Sequence, residues 1–262
     1  MSKASEFLST FSKLEAVLSK HAQSLPEKYY HNRQKPRKVH DSLESFAHYI
    51  EACARDVRNR VSNESEFRVI IENLDKISLY NKLRNALAHN YDDPPIADPR
   101  QDAVEGIRKI YSDITNPKTA QNIMIKTIKY VQPADNLYDA LDDMAQNGFT
   151  NVPVIEEGRI VAVLSEKSAL RWAAETRNDE VKLETFVSVW DIEKYLDDIN
   201  DKTFDVYEFI PKALDVYSIE DIFIDYMREG KRVSTLFVTE NGNHREGLLG
   251  IITAWDLHKI DK

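Results

Sequence analysis

The stretch Gly250-Ile251-Ile252-Thr253-Ala254-Trp255-Asp256-Leu257 decides how the second half of this chain reads. A short apolar run, too brief for a helix of its own, ends on a threonine, and an acidic residue follows three positions later. Thr253 can serve as a plain N-cap with the acidic Asp256 in the first turn, so a strand is predicted to feed a helix at Thr253. Upstream, Ser218 is expected to cap a helix bearing Ile219, Ile222, Phe223 and Met227. A strand at Val233-Ser234-Thr235-Leu236-Phe237-Val238 and a turn at Asn241-Gly242 complete the unit. The same plan occurs once before. Asp135 is expected to cap a helix bearing Leu137, Ala140, Leu141 and Met144. Phe149-Thr150-Asn151-Val152-Pro153-Val154-Ile155 reads as a strand, Glu157-Gly158 as a turn, and Ile160 to Leu164 as the returning strand. The order is βαββα in each, which is an internal duplication.

The first half differs in kind. Residues 1–115 carry 18 Lys and Arg against 17 Asp and Glu, a net of +1, whereas residues 116–262 carry 17 against 27, a net of −10. Only the first half is suited to lie against phosphate. Gly106 is its one glycine; the other six follow Thr115, as helices avoid glycine and strand-turn folds use it. With 42% hydrophobic and 30% charged residues the chain can bury a core, which excludes collagen, low-complexity disorder and a coiled-coil rod. Cys53, the single cysteine, cannot form an internal disulfide. The opening Met-Ser-Lys-Ala-Ser-Glu lacks the pattern of a secretory signal, and no apolar run nears the roughly 20 residues of a membrane helix. A cytoplasmic protein that does not contact the bilayer is expected.

Helical spacing runs through the first half. Phe7, Phe11, Leu14 and Leu18 form one stripe; Leu43, Phe46, Ile50, Ala54, Val57 and Val61 a second. A third runs Phe67, Ile70, Ile71, Leu74, Ile77, Leu83 and Leu87, and a fourth Val104, Ile107, Ile110, Tyr111 and Ile114. A four-helix bundle over residues 1–115 is predicted, with Asp98 as N-cap and Pro99 in the first turn of the last helix. Between the first two helices lies a basic loop, His31 to His40, preceded by Tyr29 and Tyr30. Its composition suits either single-stranded RNA or a solvated surface.

The third helix ends in Leu83-Arg84-Asn85-Ala86-Leu87-Ala88-His89-Asn90-Tyr91. This Arg-x4-His-x-Tyr arrangement, late in a helical bundle, resembles the HEPN superfamily, whose members include metal-independent endoribonucleases, and is similar to the HEPN toxins of toxin–antitoxin pairs. The resemblance implies catalysis by Arg84, Asn85, His89 and Tyr91 in a groove shared by two chains. Cleavage of RNA by its own 2′-hydroxyl needs a group that titrates near neutrality and a cation facing the developing phosphorane charge, which histidine and arginine supply. Arg84 and His89 diverge by about 140° on a straight helix, so either the helix ends at Ala88 or two chains pair; a homodimer is predicted. Asn85 and His89 share a face, so Asn85 can orient the imidazole. The alternative makes His89 a dipole-complementing terminal residue and pairs Arg84 with a carboxylate such as Glu15.

In the second half the duplicated plan and the Gly250–Leu257 signature resemble a tandem CBS-domain pair, with one copy at 120–175, a helical link at 176–204 and the second copy at 205–262. The resemblance implies an adenosyl ligand such as AMP, ADP, ATP or S-adenosylmethionine bound in clefts between the copies, with no other cofactor and no metal. For one cleft it implies Ile251, Thr253 and Asp256, with Asp135, Ala140, Phe149 and Thr150 from the first copy. The Thr253 hydroxyl and the free amides beside it can meet a phosphate, and Asp256 can take a ribose diol. The other cleft is either empty or holds a ligand more weakly by Ser165 and Ser234, with Ser168, Ser218 and Val233 beside them. It departs from the pattern, since Ala162 stands for glycine, Ser168 for the aspartate, and Phe223 for the small residue at Ala140. The strongly acidic balance discourages highly anionic ligands unless Lys167, Lys231 or Arg232 lies nearby. Together the halves imply a nucleotide-sensing pair controlling a HEPN-type ribonuclease. The alternative is a non-enzymatic dimeric regulatory protein. One cysteine, seven scattered histidines and no glycine-rich phosphate loop leave no zinc or Walker arrangement.

Overall fold

Ala4, Phe7, Phe11, Leu14, Leu18 and Ala22 are buried along one side of α1 (Lys3–Ser24), as their spacing requires of a helix that covers a core. The computed structural model describes residues 2–30, 33–55, 65–88, 98–176 and 186–260. The chain divides into two units, Met1–Pro117 and Lys118–Lys262. In the first, α1 packs against α2 (Val39–Arg55), α4 (Leu74–Ala88) and α5 (Gln101–Thr115), with α3 (Ser65–Glu72) against α5. Val57 and Val61 of the second predicted stripe lie outside the described residues. The predicted third helix is two. It breaks at Asn73, whose side-chain amide donates to the Val69 carbonyl at 2.9 Å and so competes with the helix ladder.

Gly106 sits in the middle of α5 because a Cβ there would lie 2.1 Å from the Tyr80 hydroxyl. Tyr80 in turn stands edge-on to Phe7, with centroids 5.9 Å apart. Asp98 does not cap α5, which begins at Gln101 after Arg100 without a side-chain cap. Asp98 instead accepts the Ala4 N–H of α1 at 3.3 Å.

The second unit contains α6 (Ala120–Ile123), α7 (Leu137–Asn147), β1 (Asn151–Glu156), β2 (Arg159–Ser165), α8 (Glu166–Thr176), β3 (Asp205–Pro211), α9 (Val216–Arg228), β4 (Arg232–Thr239) and β5 (Gly250–Ile252), with 3-10 turns at Val189–Tyr195 and Ala254–Lys259. β1 and β2 pair antiparallel; β3 runs parallel to β4, and β4 antiparallel to β5. The first copy's opening strand is reduced to a bridge of Val131 with Val154. Pro133, two residues on, has no N–H to extend it.

Both helix caps differ from expectation. Asn136, not Asp135, accepts the Tyr138 and Asp139 N–H groups, at 2.8 and 3.4 Å, while Asp135 takes the Gln132 N–H of the preceding turn at 2.7 Å. In the second copy Asp215, not Ser218, accepts the Tyr217 and Ser218 N–H groups at 3.1 and 3.0 Å. Ser218 is the third helical residue and donates its hydroxyl to Asp215 at 2.6 Å. Aligning the caps makes Ile219 the counterpart of Ala140 and Phe223 that of Met144. All four are buried, so Phe223 does not replace the small residue.

The segment preceding each copy packs on the other copy. Ala120 and Ile123 belong to the core formed by Ile210, Val216, Ile219, Phe223 and Leu236. Val189, Ile192, Tyr195 and Leu196 belong to the core of Leu137, Met144, Val154 and Leu164. Thr119 bridges Asp215 and Ser188 bridges Asn136, each at a helix cap; Ile125 bridges Ile251 and Asp197 bridges Val163, each on a returning strand. Between the copies, Tyr207 stacks on Phe237 at 5.9 Å beside Val163, Ile160 and Ile199. Among the described residues, no helix is long and apolar enough to cross a membrane.

Candidate functional site

Each returning strand of the second unit ends on a hydroxyl residue that opens a helical turn. At the end of β5, Asp256 accepts the Thr253 N–H and hydroxyl at 2.8 and 3.0 Å, closing a capping box. At the end of β2, Ser168 accepts the Ser165 N–H at 3.2 Å, Ser165 accepts the Ser168 N–H at 3.0 Å, and their hydroxyls lie 2.9 Å apart. Both turns open onto one cavity of about 470 Å³. Thr150 and Asn151 line it from the start of β1, Ser165 to Lys167 from the start of α8, Arg232 to Ser234 from β4, and Thr253 to Trp255 from the last turn. Asp197 and Asp205 complete the lining.

The cavity is polar and charged on one side. Lys167 and Arg232 converge on Asp205, at 3.2 and 2.8 Å. Burial alone would raise the Asp205 carboxyl, but the hydrogen bond from Lys167 and the charge of Arg232 outweigh it and hold the group below the usual carboxylate range. Asp197, 9% exposed, accepts from Arg171 at 2.6 Å and from the Tyr207 hydroxyl at 3.0 Å. Trp255 stands at the rim, 87% exposed, and offers a flat apolar face.

Of the residues expected at the two clefts, Thr150, Thr253, Ser165, Val233 and Ser234 line this cavity together. Asp256 and Ser168 lie behind it, both buried, as the residues that hold the two hydroxyl turns. Both Asp256 oxygens are engaged, Oδ2 by Thr253 and Oδ1 by Lys259 at 2.6 Å. Ala140 is buried in the first copy's core, Phe149 packs against that core, and Ile251 packs against the core between the copies. Asp135 and Ser218 serve the turns before and within their helices, apart from the cavity lining. Lys167 and Arg232 line the cavity as an anionic ligand would require. Lys231 pairs instead with Glu229 at 2.8 Å. Asn151, Glu166, Asp197 and Asp205 carried no local signal, since only the folded pairing of the copies brings them to one wall.

Residues 120–175 match the family model of the CBS domain. No curated protein matches the chain. Among solved structures, the chain is similar to CBSX2 in complex with AMP, at 17% identity over 55% of this chain and 95% of that one, with a TM-score of 0.39. It is similar also to the CBS-domain pair of protein MJ0100 in complex with 5′-methylthioadenosine and S-adenosyl-L-methionine, at 13% identity over 55% and 96%, with a TM-score of 0.38. Protein MJ1225 from Methanocaldococcus jannaschii is 20% identical over 66% of this chain and 57% of that one, with a TM-score of 0.41.

In the helical unit, Arg84 lies in the last turns of α4 and donates to the exposed Asn85 at 3.1 Å rather than to Glu15. His89 and Tyr91, the other two residues of that motif, lie outside the described residues, as do His31 and Asn32 of the basic loop. The aromatic neighbours of that loop are turned to packing. Tyr29 stands edge-on to Tyr49 at 5.1 Å, and the Tyr30 hydroxyl donates to the Gln23 carbonyl at 2.7 Å.

Proposed function

We propose that the CBS unit binds an adenosine compound in the 470 Å³ cavity and that its occupancy regulates the helical unit, which acts as a HEPN-type, metal-independent endoribonuclease in a homodimer. One observation carries the binding half: both hydroxyl turns, from the two copies, open onto a single cavity that also holds Lys167 and Arg232. Its volume falls in the range of about 300–1,000 Å³ usual for small-ligand sites. Thr253, Ser165 and Ser234 would orient the sugar and phosphate, Trp255 and Val233 would cover the base, and Asp256 would act through Thr253 as a positioning residue. The catalytic half is supported by the sequence motif and by the exposure of Asn85 beside Arg84, which leaves the guanidinium near the surface.

Regulation requires a ligand with different affinity for two arrangements of the molecule; a tenfold effect needs about 1.4 kcal/mol of that difference. Incubation of the full chain with total RNA, with and without AMP, beside Arg84→Ala and His89→Ala, tests the reading. Cleavage by the wild type that changes with AMP and is lost in both variants is expected. Equal behaviour of wild type and variants removes the nuclease and leaves the non-enzymatic nucleotide-binding regulator, which calorimetry with AMP checks separately.

A further inference from the structure

Asp205 opens β3 at the cavity wall and is itself only 16% exposed. Its Oδ1 accepts Arg232 Nε at 2.9 Å and Arg232 Nη2 at 2.8 Å, and its Oδ2 accepts Lys167 Nζ at 3.2 Å. Lys167 comes from the first turn of α8 in the first copy and Arg232 from β4 in the second, so one carboxylate ties cations from both copies. These are the two cations in the cavity lining. A phosphate monoester makes the same demand: oxygens for the guanidinium fork and for an ammonium beside it.

The partners are unequal in freedom. The Lys167 and Arg232 side chains are 49% and 75% exposed, on long flexible stems, whereas the carboxylate is held at the strand end. The cations can move to an incoming anion; the carboxylate cannot leave. Of the other lining anions, Asp197 already holds Arg171.

Resting on the nucleotide reading above, we propose that Asp205 is a resident anion standing in for a ligand's phosphate. A phosphorylated adenosine compound binds by taking Lys167 and Arg232 from it, so this carboxylate sets the discrimination between AMP and adenosine. Binding then replaces the tie between α8 and β3 with a tie through the ligand.

Calorimetry of the full chain with AMP and with adenosine tests this on wild type, Asp205→Asn and Arg232→Gln. Asp205→Asn is expected to bind AMP about fivefold more tightly, with adenosine changed less than about twofold. Arg232→Gln, at an exposed position, is expected to lose a similar factor for AMP alone. Wild-type binding of AMP with an unchanged or lowered AMP-to-adenosine ratio in Asp205→Asn overturns the proposal and leaves the nucleotide site standing. Should Asp205→Asn not fold, an unchanged ratio in Arg232→Gln overturns it equally. Binding of neither compound by any of the three proteins overturns the nucleotide reading itself, and this proposal with it.

Discussion

The two copies in the second unit build one clamp and place its carboxylate differently. Ser165 with Ser168 in the first copy, and Thr253 with Asp256 in the second, each close a reciprocal cap. Three residues further on, Arg171 donates to the Tyr195 carbonyl at 2.6 Å and Lys259 to the Ile123 carbonyl at 3.1 Å, each fastening the segment that crosses over from the other copy. The anion facing the cation is Asp256 of the same turn in the second copy, but Asp197 of the crossing segment in the first. The difference teaches that an aspartate at the signature position serves the fold before it serves a ligand. Where it is missing, the clamp recruits its charge from another strand.

Asp256→Ala is therefore expected to give the largest loss of stability, about 2–3 kcal/mol, because it removes at once the acceptor of the part-buried Thr253 N–H and hydroxyl and the charge facing Lys259. Ser168→Ala removes only the neutral cap and should cost about 1 kcal/mol. Urea unfolding of the two variants measures the gap. Equal losses would break the comparison, since the carboxylate would then carry no structural weight beyond the hydroxyl.

The reason sequence could expose one part of this and not another lies in range. Phe7, Phe11, Leu14 and Leu18 announce α1 because a helix buries every third or fourth residue whatever its neighbours do. The break at Asn73 is hidden, because the apolar series runs through it unbroken and only the side-chain bond to Val69 reveals it. Asp135 and Asn136 are both competent caps, and adjacency alone could not choose between them. At the site, Thr253 and Ser165 were legible as strand-to-helix junctions. Asp205, Lys167 and Arg232 meet only after β3 pairs with β4 and α8 comes alongside, and no local pattern encodes that meeting.

A smaller effect separates the copies on the returning strand. A Cβ on Gly250 would lie 2.5 Å from Met124 Sδ and 2.9 Å from Met124 Cβ, so the crossing segment presses directly on the strand. The first copy holds Ala162 in that place, with Leu196 at the counterpart of Met124, and both are buried. Gly250→Ala should destabilise by about 1–3 kcal/mol through overpacking, whereas Ala162→Gly should cost about 0.5–1 kcal/mol of backbone entropy. Met124→Ala in the Gly250→Ala background should recover part of the loss, which a double-mutant cycle measures. No recovery would show that the contact with the crossing segment is not what demands glycine.

The least of the expected differences appears in alkali and belongs to the second copy. Tyr226 on α9 is partly buried beside Glu208, to which its hydroxyl donates, and that partial burial followed by the bond raises it from 10.0 to about 12. Burial and the neighbouring Asp197 also raise Tyr207. The cap alignment puts Asn147, which does not titrate, at the place of Tyr226 in the first copy. An unfolded tyrosine releases its proton near pH 10 while the folded Tyr226 keeps it to about pH 12. Across that window the unfolded chain binds fewer protons, so stability falls as pH rises. Tyr226 is only partly buried, so solvent screening holds its share below about 1 kcal/mol. Tyr226→Phe should flatten the slope of unfolding free energy between pH 10 and 12 without erasing the part due to Tyr207. An unchanged slope would mean that Glu208 does not hold the phenolic proton in place.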